Sequence, residues 1–153
     1  ALVIYMFADT WWPDSVVARI DTGALGLLAL AFLPWLARGA FDIVQPDVTK
    51  VGGLSEQRRI AWMAEEFGVK YVGHGWNTAL GVAADLQLAT ALPNVDLVEF
   101  IGGSPYVDGI LREPFVLDAE GYLQIPDTPG LGVQLDPDKV ARYTVDASAL
   151  FKA

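Results

Sequence analysis

Asp47, His74 and Glu99 lie 27 and 25 positions apart, and His74 is the only histidine of the 153-residue chain. Each follows or ends a short apolar run, "FDIVQ" (41–45), "VKYVG" (69–73) and "VDLVEF" (95–100). An imidazole titrates near neutrality, and a carboxylate beside one ring nitrogen fixes its tautomer and leaves the other nitrogen to act as a base. General acid–base chemistry is therefore the function these residue types suit. The competing reading of "YVGHGWN" (71–77) is a partly buried structural histidine.

Positioning such a set requires repeated strand–helix units. "FDIVQ" is β-prone and leads into a turn, "PDVTKVGG". Ser55 opens a helix with Glu56 in its first turn; Ile60, Met63, Ala64 and Phe67 form its apolar face, and Gly68 closes it. "VKYVG" reads as a buried strand and Thr78 to Ala91 as a second helix, with Leu80, Ala83, Ala84, Leu88 and Ala91 inward. "VDLVEF" is the third strand. The order β-α-β-α-β predicts parallel strands under a helical layer, with Asp47, His74 and Glu99 on one rim. In a (β/α)8 barrel the carboxyl-end rim is where active sites form. Asp42 and Asp96 begin strands and fall at the opposite, solvated end. Trp76 and Asn77 are candidate pocket residues beside His74, with packing as the alternative. Lys50, Gly52 and Gly53 read as a tight strand-to-helix turn, because they lack the spacing of a nucleotide-phosphate loop. Tyr106, Arg112 and Glu113 have no assigned role.

Composition narrows the classes. With 19 acidic and 10 basic residues the net charge is −9, which argues against nucleic acid. The absence of cysteine excludes disulfides, zinc–thiolate sites and cysteine nucleophiles. It fits a reducing compartment, and a cytoplasmic location is expected. No signal peptide is recognised at the start. The run Ala24–Ala37, "ALGLLALAFLPWLA", is uncharged, but it is shorter than the about 20 residues of a membrane span and contains Pro34. A buried helix is expected, with no membrane partner. Residues 121–136 read as an extended surface segment, and Pro137 as the first residue of a short helix capped by Asp136.

"FDIVQPDVTKVGGLSEQRRIAWMAEEFGV", "VGHGWNTALGVAADLQLATALPN", "LVEF" and "IPDTPGLGVQLD" resemble the carboxyl-terminal barrel half of the enolase superfamily, specifically its mandelate racemase group and sugar-acid dehydratases. The resemblance covers about residues 38–146. It implies an α/β fold: the last three to four βα units of a (β/α)8 barrel plus a carboxyl-terminal extension. The expected division is an atypical apolar segment at 1–37, barrel units at 38–120, and an extended segment with a short helix at 121–153.

By that resemblance His74 is the acid/base at the carbon α to a carboxylate, Asp47 its hydrogen-bonding partner, and Glu99 an organiser of the substrate carboxylate. The implied substrate is a sugar acid, an aldonate or aldarate. Loss of water gives a 2-keto-3-deoxy acid; return of a proton alone gives epimerisation. The resemblance also implies Mg2+ and, for full-length members, a homo-oligomer. A lysine base, as in muconate-lactonizing relatives, is absent at position 47. The family's third acidic metal ligand maps to Ala24, no glutamate precedes Glu56, and the two earlier ligands have no counterpart here. Ala24 to about Leu36 is accordingly read as disturbed or rearranged sequence, with family register resuming near Ala37. Three readings stand: a dehydratase, a racemase, epimerase or cycloisomerase on the same dyad, and a catalytically silent half-barrel.

Overall fold

The computed structural model of the protein describes residues 28–105 and 107–144. Ala24, Tyr106 and most of segment 1–37 lie outside the described residues. Two strands, β1 (Ile43–Val44) and β2 (Lys70–Tyr71), run parallel, with Ile43 opposite Lys70 and Val44 opposite Tyr71. Their backbone bonding continues beyond the strands. Lys70 N donates to Asp42 O, Val72 N to Val44 O, and His74 N to Pro46 O at 3.0 Å. This alternation places residues 46–47 beside 74 at the carboxyl end.

Among the described residues, four α-helices accompany the strands: α1 (Leu28–Leu36), α2 (Leu54–Glu66), α3 (Ala79–Ala89) and α4 (Pro137–Ala141). Helix α2 is the crossover between β1 and β2, entered through left-handed Gly52 and Gly53 in the turn expected there. The principal core joins Leu36 of α1, Val44, Ile60, Ala61 and Ala64 of α2, Tyr71, Leu88 and Leu92. A second cluster centres on Val82, Leu86 and Val107, flanked by Phe100 and Phe115 stacked edge to face.

Several expectations are corrected. The buried face of α2 is Gln57, Ile60, Ala61 and Ala64, whereas Phe67 is exposed. The face keeps helical spacing but lies one turn earlier, with a polar side chain in its first slot. On α3, Leu80 is exposed and Asp85 is buried among apolar neighbours; Ala91, also exposed, lies beyond the helix end. Among the described side chains of α1, Leu36 is buried and Phe32 packs against the core, whereas Leu30, Leu33 and Trp35 face outward. No helix among the described residues is long and apolar enough to cross a membrane.

The expected strand at 95–100 is not formed. One backbone bond, Tyr71 N to Asn94 O, ties this segment to β2 among the described residues. Farther along, Gly75 N donates to the Glu99 side chain instead of its backbone, so no regular ladder develops. The segment still runs alongside β2, which is enough to bring Glu99 to the rim.

The carboxyl-terminal stretch is extended, as expected. Antiparallel bridges pair Leu117 with Leu123 and Leu111 with Leu135, and Gln87 on α3 donates to Pro126 O. Arg112 acts here, its backbone N donating to Gln134 O. Asp136 caps α4 through Asp138 N and Lys139 N, with Pro137 at the first helical position.

Candidate active site

The turn after β1 is built around the Asp47 carboxylate. Its Oδ1 accepts from Thr49 N at 2.8 Å and from Thr49 Oγ1 at 2.5 Å, an Asx turn that fixes the side chain against its own backbone. Oδ2 accepts from Lys50 Nζ at 2.6 Å and faces His74 Nδ1 at 2.9 Å. The His74 ring is 14% exposed and Asp47 only 5%, so the contact is sheltered while the imidazole reaches the surface. In this geometry Nδ1–H donates to Asp47, which directs Nε2 chemistry away from the carboxylate.

Burial pushes the Asp47 carboxyl up, but hydrogen bonds from Lys50, Thr49 and His74 outweigh burial and bring it down to about 2. Asp47 is therefore an anion at any working pH. It can stabilise an imidazolium without taking the proton.

Glu99 reaches the same end through the residue after His74. Its Oε2 accepts from Gly75 N at 2.8 Å and from Gln45 Nε2 at 3.3 Å. Glycine is required at 75 by close approach: a Cβ there would fall 2.0 Å from Glu99 O. Asn77 Nδ2 donates to His74 O at 3.2 Å and lies 3.5 Å from Asp47 Oδ1, so it braces the dyad. Trp76 is 68% exposed and takes no part in the core.

Asp47, His74, Glu99 and Asn77 are thus gathered at one end of the two strands. Lys50 joins them as a second cation-bearing donor on Asp47, where the turn reading gave it only a conformational role. The three-residue offset within "DVTK" is the signal that could have found it. Gln45 was likewise legible only as a strand residue. Gln57 and Asp85, buried directly beneath, carried no sequence signal for the site. Asp42 and Asp96 are exposed at the other end, Asp96 paired with Lys70 at 2.6 Å.

No group of three His, Cys, Asp or Glu side chains among the described residues can hold a metal ion. The residues described here do not fit a Mg2+ site, and Asp47 has its oxygens occupied by Lys50, Thr49 and His74.

Residues 29–139 match the family model described as enolase C-terminal domain-like; the match begins within the apolar run 24–37. The chain is 38% identical over 118 residues to a D-galactarolactone cycloisomerase of Agrobacterium fabrum, covering 71% of this chain and 31% of that protein. It is 33% identical over 160 residues to a D-xylonate dehydratase of Haloferax volcanii, covering 94% and 39%. Among solved structures, a mandelate racemase/muconate lactonizing enzyme-like protein from Rubrobacter xylanophilus superposes with a TM-score of 0.66 at 29% identity, over 77% of this chain and 30% of that one. The chain spans about a third of the length of the curated relatives it matches. With the family model matching most of its length and its backbone superposing on solved members, the chain belongs to the enolase superfamily, as a partial carboxyl-terminal α/β region of the barrel domain.

Proposed function

We propose that this chain carries the proton-handling part of a sugar-acid dehydratase site. The observation that supports it is the 2.9 Å contact of His74 Nδ1 with the Asp47 carboxylate. His74 takes the proton from the carbon α to the substrate carboxylate. The electron pair forms a carbon–carbon double bond as the neighbouring hydroxyl leaves, protonated by the same imidazole and released as water. The resulting enol becomes a 2-keto-3-deoxy acid. Asp47 holds the ring and stabilises its charged form, worth about 10²–10⁴-fold for a positioned acid–base pair. Glu99, tied to Gly75 N and Gln45, orients the substrate carboxylate, and Trp76 and Asn77 flank it.

Mg2+, which the family implies, supplies charge stabilisation to the oxygens of such an intermediate when bound. Because the described residues form no site for it, no step above passes through the metal.

A second reading, cycloisomerisation or epimerisation on the same dyad, is favoured by the activity named for the 38% identical relative. The catalytically silent half-barrel is the third reading. The test is to incubate the full chain with Mg2+ and a panel of aldonic and aldaric acids in D2O. Deuterium at the α-carbon and a keto-acid product are expected, both lost in His74→Asn. Exchange that survives this substitution overturns the proposal, exchange without keto acid supports the second reading, and no exchange with any acid supports the silent one.

A further inference from the structure

Beneath the rim, two buried polar side chains join the segments that carry the dyad. Gln57 of α2 is completely buried, and its Nε2 donates to Pro46 O at 3.0 Å and to Asp85 Oδ1 at 2.8 Å. Pro46 immediately precedes Asp47, and the same carbonyl accepts from His74 N. Asp85 of α3 is 3% exposed. Its carboxyl lies against Gly73, the residue before His74, so closely that a Cβ at 73 would meet Asp85 Cγ and Oδ1 at 2.8 Å. One strap thus spans two helices and abuts the residue before each dyad member.

Burying an amide and a carboxyl in a core of alanine, valine and leucine is costly unless they serve each other. Here the pairing is incomplete: Asp85 Oδ2 is buried without a hydrogen-bond partner, while Gln57 also faces the buried Tyr71 hydroxyl. An apolar pair would fill the space with less penalty. The arrangement is therefore explained by where its bonds land, not by stability.

We infer that Gln57 and Asp85 are positioning residues for the Asp47–His74 dyad, setting the register of the two strand ends through Pro46 and Gly73. Neither touches the dyad side chains. This rests on reading Asp47 and His74 as a dyad, though not on any turnover by the chain. Loosening the strap lets residues 46–47 and 73–74 shift against each other, and the Nδ1–H bond to Asp47 is the first contact to register that shift.

His74 is the sole histidine, so its two ring nitrogens give one unambiguous pair of resonances in the full-length chain. In wild type they are expected to show the Nδ1–H tautomer, with slow solvent exchange of that proton. Gln57→Asn, one methylene too short to reach both partners, is expected to accelerate that exchange about tenfold, the size of one hydrogen bond's net contribution, and to erode the tautomer preference. Asp85→Asn keeps the acceptor for Gln57 and is expected to preserve the wild-type tautomer. Wild-type-like exchange and tautomer in Gln57→Asn would overturn the inference. So would loss of the far-ultraviolet dichroism of folded protein in that variant, since the pair would then hold the core and not the dyad. Tautomer loss in Asp85→Asn equally counts against it. Absence of the tautomer preference in wild type instead defeats the dyad itself, which keeps the two failures distinct.

Discussion

Asp85 offers a test of the buried strap through stability alone. Burial and the nearby Asp47 and Glu99 push its carboxyl up to about 7 from 3.8, with only the Gln57 hydrogen bond opposing. Between those two values the folded chain holds a proton that the unfolded chain has released, so this group makes stability fall as pH rises through the window. A shift of about three units at 1.36 kcal/mol each amounts to about 4 kcal/mol above pH 7. Roughly 2–3 kcal/mol of it develops between about pH 5 and pH 8, the rest having developed below pH 5 where the unfolded carboxyl ionises. Asp47 behaves oppositely: its depressed carboxyl adds stability that is present above pH 4 and lost as pH falls toward 2. It is therefore silent in the Asp85 window. Asp85→Asn keeps the shape and the acceptor but has no proton to lose. In urea titrations followed by tryptophan fluorescence, the variant should gain on wild type by about 2–3 kcal/mol on going from pH 5 to pH 8. Parallel pH dependence of the two proteins across that interval would refute the reasoning.

Two further outcomes follow from local geometry. Gly75→Ala should destabilise by about 1–3 kcal/mol in the same titrations, since its Cβ meets the fixed backbone oxygen of Glu99, and it should break the Gly75 N–Glu99 bond. A change under about 0.5 kcal/mol would mean the two segments separate freely. Asp136→Ala removes the cap of α4 and should cost about 1 kcal/mol, with Asp136→Asn restoring most of it.

Much of the site was legible because it depends on chain order. Asp47 and His74 each follow a strand, and parallel pairing through one crossover helix puts successive strand ends side by side. The residues beneath were not legible because they depend on helix phase. Gln57, three positions before Ile60, reads as solvent-facing unless the α2 face is known to begin at Gln57 and end at Ala64 instead of Phe67. Asp85 lies among alanines and leucines in a helix so apolar throughout that periodicity does not single out its inner side. The strand expected at 95–100 failed for another reason: β-prone composition does not supply a partner, and among the described residues one backbone bond, at Asn94 just before the segment, ties it to β2. Glu99 nevertheless arrives where expected, since its anchor is a side chain.

The crossover through α2 has a consequence for inheritance. Asp47, His74 and Gln57 all belong to one contiguous stretch, closed by the register of Val44 with Tyr71. A recombination that moved residues 42–75 would transplant the Asp47–His74 contact intact, whereas one breaking within α2 would separate its two members. Asp85 and Glu99 lie downstream, so a donor segment ending at 75 would arrive without the acceptor for Gln57 and without the carboxylate that Gly75 N bonds. The Asp47–His74 contact is thus carried by one contiguous segment, while its alignment is shared with the next unit along.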